Sequence, residues 1–494
     1  MKTPWTLFLV VTIVLVRAIV LWRADFWPPP YFDKLPLYVE GLISDTWEFL
    51  FYFHKKPIGP VLRDIFLLKV VPHEYLVTAV FVLAFSIVGL SSVFFFYTLR
   101  LLGCGIIVGF VSAHVWSILM LPMDFYSHGR FAECITTFWL SWYLFSLAII
   151  TRSQYLSIRH LCFHGAALVG LAFWHPQAII CLAISLFLLV MQFGKRLWDL
   201  KIGFCMAAIL SFFLLPFLKN FMAHGQFSTS SVAGTTAIQR VIVTLETDPV
   251  EKYASSGKIP TWYRDCYQKE TRGLLNRVYG TCYRKMGGET SALLMLEGLD
   301  ETPGLRQKIV QDLEDEKNRP WFFEQSRFAM AYNRVSFGIW VHYVKAEGLK
   351  AWTSAVKIIS KHYFNIESIV FPEYGKVGLY PLSSIKAVIQ LMKLSSWLLL
   401  ISGCLMPLVL VGMKIFRRRI NPNIYFYALI STLFSAVCIT TNLIACCEND
   451  RYYFAFALLP FFQIPWLVSL GFDHCKKCHY QWYFKSSSQT LRSL

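Results

Sequence analysis

Apolar runs long enough to cross a membrane recur along this chain, and they limit its folds more than any other feature. A hydrocarbon core about 30 Å thick takes roughly 17 to 25 helical residues to span. Such runs occupy residues 5–22, 75–97, 101–121, 134–150, 200–218, 394–413, 424–445 and 454–470. Two shorter runs, 161–174 and 178–193, flank His175-Pro176 and read as two tilted spans or one re-entrant pair. In hydrocarbon every backbone polar group must be satisfied within the segment, so runs of this length are helices. The expected fold is an all-α polytopic membrane protein with about ten transmembrane helices and one large exterior loop subdomain.

Composition agrees. Only 16% of the 494 residues are charged and 56% are hydrophobic, against about 25% charged in soluble domains. The first run is expected to be retained rather than cleaved as a signal peptide. Arg17 interrupts it, and no small-residue cleavage site follows before Arg23.

A net charge of +17 would point to nucleic acid in a soluble protein. Here the cations sit in short connections between spans and report topology instead. With a cytoplasmic N-terminus, Arg100, then Arg152 and Arg159, then Lys195, Arg196 and Lys201, then Lys414 with Arg417 to Arg419, and finally Lys476 and Lys477 all fall inside. Both termini are then cytoplasmic. The exterior, a bacterial periplasm or an endoplasmic reticulum lumen, receives residues 23–74, the turn 122–133, the His175 break, the segment 219–393 and the turn 446–453. The division is an N-terminal membrane module 1–218 with first exterior loop 23–74, an exterior segment 219–393, C-terminal helices 394–471 and a tail 472–494.

Within 219–393, residues 241–245 look strand-like, while 305–316 and 336–359 carry helical periodicity. The first loop holds a stiff turn, Trp27-Pro28-Pro29-Pro30-Tyr31, and then a run 37–53 with apolar residues at helical spacing, fit to lie along the membrane surface. Most of the thirteen cysteines are scattered through the spans as small apolar residues. Cys266 and Cys282 share the exterior segment, where a disulfide is permitted. The Cys475-x-x-Cys478-His479 string reads as part of a basic juxtamembrane tail, with S-palmitoylation the next reading ahead of haem or zinc. The absence of an Asn-x-Ser/Thr sequon tilts slightly toward a bacterial source.

Acids and cations gather at the exterior ends of separate spans: Asp33 and Asp45 after the first, Asp124, His128, Arg130 and Glu133 between the third and fourth, and Glu448, Asp450 and Arg451 before the last. A single charge at a helix end is commonly only solvated or snorkelling, so the weight rests on the group. Arg17 lies about one turn inside the first span, where an unpaired guanidinium costs at least a few kcal/mol. It either snorkels to the interface or meets a carboxylate or a lipid-linked phosphate. His175 reads more readily as a satisfied histidine at a helix break than as a substrate contact.

These residues resemble a known family. An early Asp in the first exterior loop, an aromatic-rich helix and the His54-Lys55-Lys56-Pro57-Ile58-Gly59-Pro60 element are similar to the first loop of the GT-C superfamily of polyprenyl-phosphate-sugar-dependent integral membrane glycosyltransferases, which includes protein mannosyltransferases and lipid A aminoarabinose transferases. The turn His128-Gly129-Arg130-Phe131-Ala132-Glu133 and the string Glu448-Asn449-Asp450-Arg451-Tyr452 with Pro460 look like two further landmarks. The sequence departs from the family in having Lys34 after Asp33 and Lys56-Pro57 in place of a Pro-Pro pair. Spacing to the proline element favours Asp33 as the catalytic acid, and position at a helix start favours Asp45.

The resemblance implies a multi-pass enzyme of the inverting type. It would move a hexosyl or pentosyl group from a polyprenyl or dolichyl phosphate to a glycan, lipid or protein acceptor. Asp33 or Asp45 would take the acceptor proton. Arg17, His54, Lys55, Lys56, Asp124, His128, Arg130, Glu133, Glu448 and Arg451 would hold donor and departing phosphate. No cofactor is assigned with certainty, and clustered carboxylates could bind a divalent cation or simply orient substrate. The expected partners are the lipid-linked donor, the bilayer and the acceptor, not nucleic acid. Two other classes stay open: a transporter or lipid flippase, which calls for charges at mid-membrane and repeat symmetry, and a non-catalytic scaffold subunit.

Overall fold

The computed structural model describes residues 3–23, 47, 50, 58–120, 131–224, 227, 229, 237, 241, 321–358, 383–415, 421–444, 456 and 458–469. Its regular elements among these residues are all helical. In chain order they are α1 (Thr3–Arg23), α2 (Ile58–Val70), α3 (Leu76–Leu101), α4 (Ile106–Leu119), α5 (Phe131–Arg152), α6 (Ile158–Trp174), α7 (Ala178–Phe193), α8 (Leu200–His224), α9 (Trp321–Ala346), α10 (Gly348–Ile358), α11 (Ser383–Ile415), α12 (Pro422–Ile444) and α13 (Leu458–Ser469).

Five of these helices are long and apolar enough to cross a membrane, over Thr78–Leu101, Cys134–Arg152, Leu200–Ala223, Gln390–Met413 and Pro422–Thr441. Five shorter apolar helices, Trp5–Val20, Ile106–Leu119, Ile158–Trp174, Ala178–Phe193 and Leu458–Ser469, fall on the remaining apolar runs. The outer surface is greasy: Leu7, Ile107, Phe204 and Leu408 are all exposed. An apolar exterior of this extent is what a bilayer stabilises and water does not. The chain is a membrane protein.

Burial separates central from peripheral helices. Of the apolar window in α5, 72% is buried, against 22% in α8. The central helix packs on α3, α6 and α12, while α11 lies chiefly on α12 and α8 chiefly on α6. Aromatic side chains fill the seams. Phe95 of α3 sits between Trp116 of α4 and Phe461 and Phe462 of α13, with centroid separations of 5.4 to 6.1 Å, inside the range in which ring pairs attract.

Side-chain contacts identify the two ends of the bundle. At one end Arg152, closing α5, bonds the side-chain oxygen of Asn423 at the start of α12, and Asn423 Nδ2 donates to the Leu102 carbonyl after α3 at 3.3 Å. Gln192 near the end of α7 donates to the Ile150 and Ser153 carbonyls at 3.0 and 2.9 Å, and Arg100 donates to the Cys104 carbonyl at 2.5 Å. The basic connections after α3, α5 and α7 therefore share this end. At the opposite end Ile135, in the second turn of α5, packs with Leu76 and Val80 of α3, Leu67 of α2 and Trp174 of α6.

Two local expectations change. The helical stretch 336–359 is divided into α9 and α10 at Glu347, followed by Gly348, a residue whose backbone entropy weakens helices. The Glu347 amide still donates to the Tyr343 carbonyl at 2.8 Å, and its carboxylate lies 4.0 Å from Lys350. Val241, the described residue of the strand-like run, is helical and fully buried, as is Ala237 four residues before it.

Candidate functional site

Arg17 is the candidate site residue whose side chain is described. It lies in the last third of α1, which packs on α3 and α4. Its side chain does not reach the surface and is 0% exposed, so the snorkelling alternative is overturned. Nη1 donates to the Ser117 carbonyl at 2.8 Å and to Ser117 Oγ at 3.3 Å. The guanidinium carbon stands 4.7 Å from the ring centroid of Phe85 on α3, close enough for a cation–π attraction.

Ser117 belongs to the last turn of α4, whose carbonyls have no partner within the helix and carry the negative end of its dipole. A cation there satisfies one orphan acceptor and the local field together. A hydrogen bond from a charged donor contributes about 1.5–3 kcal/mol, which offsets part of the cost of burying the guanidinium. Arg17 thus ties α1 to the helix end from which the segment 121–130 departs.

The helix ends flanking the other polar turns meet at this same end of the bundle. α5 begins at Phe131, so Glu133 stands third in that helix. α6 ends at Trp174 and is capped by His175, which adopts an extended conformation (φ −141°, ψ 129°) before Pro176, as the residue before a proline prefers. The Gln177 amide donates to His175 Nδ1 at 3.2 Å, and the imidazole packs edge-on against Phe456, centroid to centroid 5.4 Å. His175 is a satisfied histidine at a helix break. Gln177 Nε2 bonds Thr441 Oγ1 near the end of α12, so the segment holding Glu448 and Arg451 leaves from beside the His175 break.

Asp33, Asp45, His54, Lys55, Lys56, Asp124, His128, Arg130, Glu448, Asp450 and Arg451 lie outside the described residues. So do the possible Cys266–Cys282 pair and the Cys475 string, and of Glu133 only the backbone is described. Among the described residues no group of three or more His, Cys, Asp or Glu is placed to hold a metal ion.

Sequence reasoning missed one polar cluster. His164 of α6 is buried between α5 and α7, its Nδ1 2.7 Å from Ser146 Oγ and its Nε2 2.9 Å from Ser185 Oγ. Tyr143 completes the group, its hydroxyl donating to the Cys181 carbonyl at 3.1 Å and accepting from Ser185 Oγ at 3.2 Å. Each serine can also reach its own helix, Ser146 to the Tyr143 carbonyl at 2.7 Å and Ser185 to the Cys181 carbonyl at 2.8 Å. A neutral imidazole has one N–H and one lone pair. One serine therefore donates to the ring while the other accepts from it. The arrangement is saturated and joins three helices. Its signal in the sequence was an ionisable residue inside an apolar run, which deserved a stated partner.

A second buried lock joins α11, α12 and α13. Ser395 Oγ stands 2.5 Å from Gln463 Oε1 and 2.6 Å from the Pro460 carbonyl, and Gln463 Nε2 donates to Tyr427 Oη at 3.0 Å. These bonds fix the start of α13 against α11. No protein-family model, curated protein or solved structure matches this chain.

Proposed function

We propose that this chain is a GT-C type inverting glycosyltransferase with about ten membrane spans, its active site on the exterior face of the membrane. The observation that carries the reading is the meeting, at one end of the bundle, of the helix ends that flank the polar turns. There Arg17 caps α4, and Gln177 bonds Thr441 beside the His175–Phe456 contact. The turns that carry acids and cations far apart in sequence are thus flanked by helix ends at one end of the bundle. The N-terminus is cytoplasmic, the connections holding Arg100 and Arg152 are inside, and the segment 219–393 forms an exterior subdomain that covers the site or recognises the acceptor.

In the proposed reaction an acceptor hydroxyl attacks the anomeric carbon of a sugar carried on polyprenyl or dolichyl phosphate. The new C–O bond forms as the bond to the phosphate oxygen breaks, with inversion. Asp33 or Asp45 takes the hydroxyl proton. Arg130 and Arg451 stabilise the charge on the departing lipid phosphate by charge-assisted hydrogen bonds. Arg17, with one nitrogen given to Ser117, holds α1 and α4 in register beside that site. The donor and acceptor come from the bilayer and the exterior.

The test is sugar transfer by membranes holding the wild type or its Asp33→Asn and Asp45→Asn variants, supplied with radiolabelled polyprenyl-phosphate sugars. Loss of transfer in one variant at unchanged expression supports the reading and names the base. Absence of transfer from every donor, with both variants still supporting normal glycans in the cell, overturns it in favour of a transporter or scaffold.

A further inference from the structure

Cys162 of α6 and Cys205 of α8 are thiols whose sulfurs stand 3.4 Å apart. They face each other at the seam between two helices that run side by side from the same end of the bundle. The register is set one turn further on. A Cβ added at Gly165 would come within 2.4 Å of Ile209 Cδ1, so a glycine is needed there for α6 and α8 to approach this closely. Gly165 is three residues beyond Cys162 and Ile209 four beyond Cys205, so both pairs lie along one contact line. Cys162 is exposed on the outer surface of the bundle and Cys205 is partly so.

Depth is read from the helix starts. Cys162 is the fifth residue of α6 and Cys205 the sixth of α8, about 6 to 8 Å along each helix at 1.5 Å per residue. Arg159 and Lys201, both exposed, precede the cysteines by three and four residues. Such cations mark the level of the headgroups. The sulfurs therefore lie just below that level, within reach of small oxidants from the water or the lipid.

We propose that Cys162 and Cys205 form a reversible redox pair, a modification site at which a hydroperoxide converts the two thiols to a disulfide that ties α6 to α8. One sulfur attacks the peroxide, forming an S–O bond as the O–O bond breaks and releasing an alcohol, or water from hydrogen peroxide. The second sulfur attacks the resulting sulfenic acid; the S–S bond forms, the S–O bond breaks, and the second thiol's proton leaves with the departing oxygen as water. Two electrons pass from the thiols to the peroxide. Only a short closure is then needed to reach the bond length of about 2.05 Å. The cationic, cytoplasm-facing position fits a transient bridge, which cellular thiols would reverse.

The experiment treats membranes containing the full-length protein with hydrogen peroxide, then denatures them and counts free thiols by gel shift with a maleimide-polyethylene glycol. Wild type is expected to lose two labelled thiols and regain them with dithiothreitol. Cys162→Ser and Cys205→Ser should show no paired loss. Mass spectrometry of the oxidised wild type should recover a peptide pair joined through these two residues, which keeps the test decisive if a variant folds poorly. An unchanged thiol count in the wild type, or a two-thiol loss that persists in Cys162→Ser without that joined peptide, overturns the proposal.

Discussion

Gly403→Ala on α11 should destabilise the bundle strongly, whereas Gly412→Ala on the same helix should not. An added Cβ at Gly403 would lie 2.1 Å from both the Ser431 carbonyl oxygen and Ser435 Oγ of α12, and 2.6 Å from the Ser431 carbonyl carbon. Ordinary contact begins at 3.4 Å, so the helices must separate locally by about 1.3 Å, because the Ser431 atoms met are backbone and cannot swing aside as a side-chain tip can. Ser435 Oγ now donates to the Leu399 and Leu400 carbonyls at 3.2 and 2.9 Å, and that separation stretches both bonds past useful length. Overpacking costs about 1–3 kcal/mol, and interhelical hydrogen bonds in bilayers average about 0.6 kcal/mol. The expected loss is about 2–4 kcal/mol. Pro407, four residues on, already denies the Gly403 carbonyl its helical donor, so α11 has little reserve here. A Cβ at Gly412 meets nothing within 4 Å, and Ala there gains helix propensity. Thermal unfolding in a mild detergent, monitored by fluorescence of the many tryptophans, measures both variants. Equal midpoints for the two would refute the close-approach argument.

Other perturbations follow from the same geometry. His164→Leu should cost about 1–3 kcal/mol, chiefly through altered packing, since each serine hydroxyl can turn back to a carbonyl of its own helix, read as a lowered midpoint; Ser146→Ala and Ser185→Ala each remove one ring partner of His164 and should lower it as well. Arg17→Leu should lower both stability and sugar transfer, and Arg17→Lys should recover stability only in part, since an ammonium matches neither the forked donors nor the stacking on Phe85; full activity with Leu would remove Arg17 from the site. Single cysteines placed at Gly103 and Tyr155 should label from one side of the membrane with an impermeant maleimide, and one at His73 from the other. Labelling of all three from one side would refute the proposed topology.

The helical class was legible from run length alone, because a span without water forces the backbone to satisfy itself locally. All ten apolar runs of the sequence contain helix in the structure, most with ends shifted by a few residues, while α11 begins eleven residues before its run. The division at Glu347 escaped the reading, since periodicity on either side of Gly348 is continuous and only backbone geometry reveals the interruption. Arg17 was legible as an anomaly in an apolar helix. Its partner was not, because Ser117 is 100 residues away and offers chiefly a backbone carbonyl, which every residue possesses.

By itself the sequence determined that this protein is a helical membrane protein whose short basic connections alternate with connections that mix acids and cations. Those are local properties, carried by hydropathy and charge within single segments. Tertiary structure decided which segments touch: that Arg17 turns inward to cap α4, that His164 locks three helices, and that Cys162 meets Cys205. Such pairings depend on helix rotation and on glycines that permit close approach. A rotation of one residue, about 100° on a helix of 3.6 residues per turn, exchanges a buried partner for lipid while leaving the hydropathy profile unchanged.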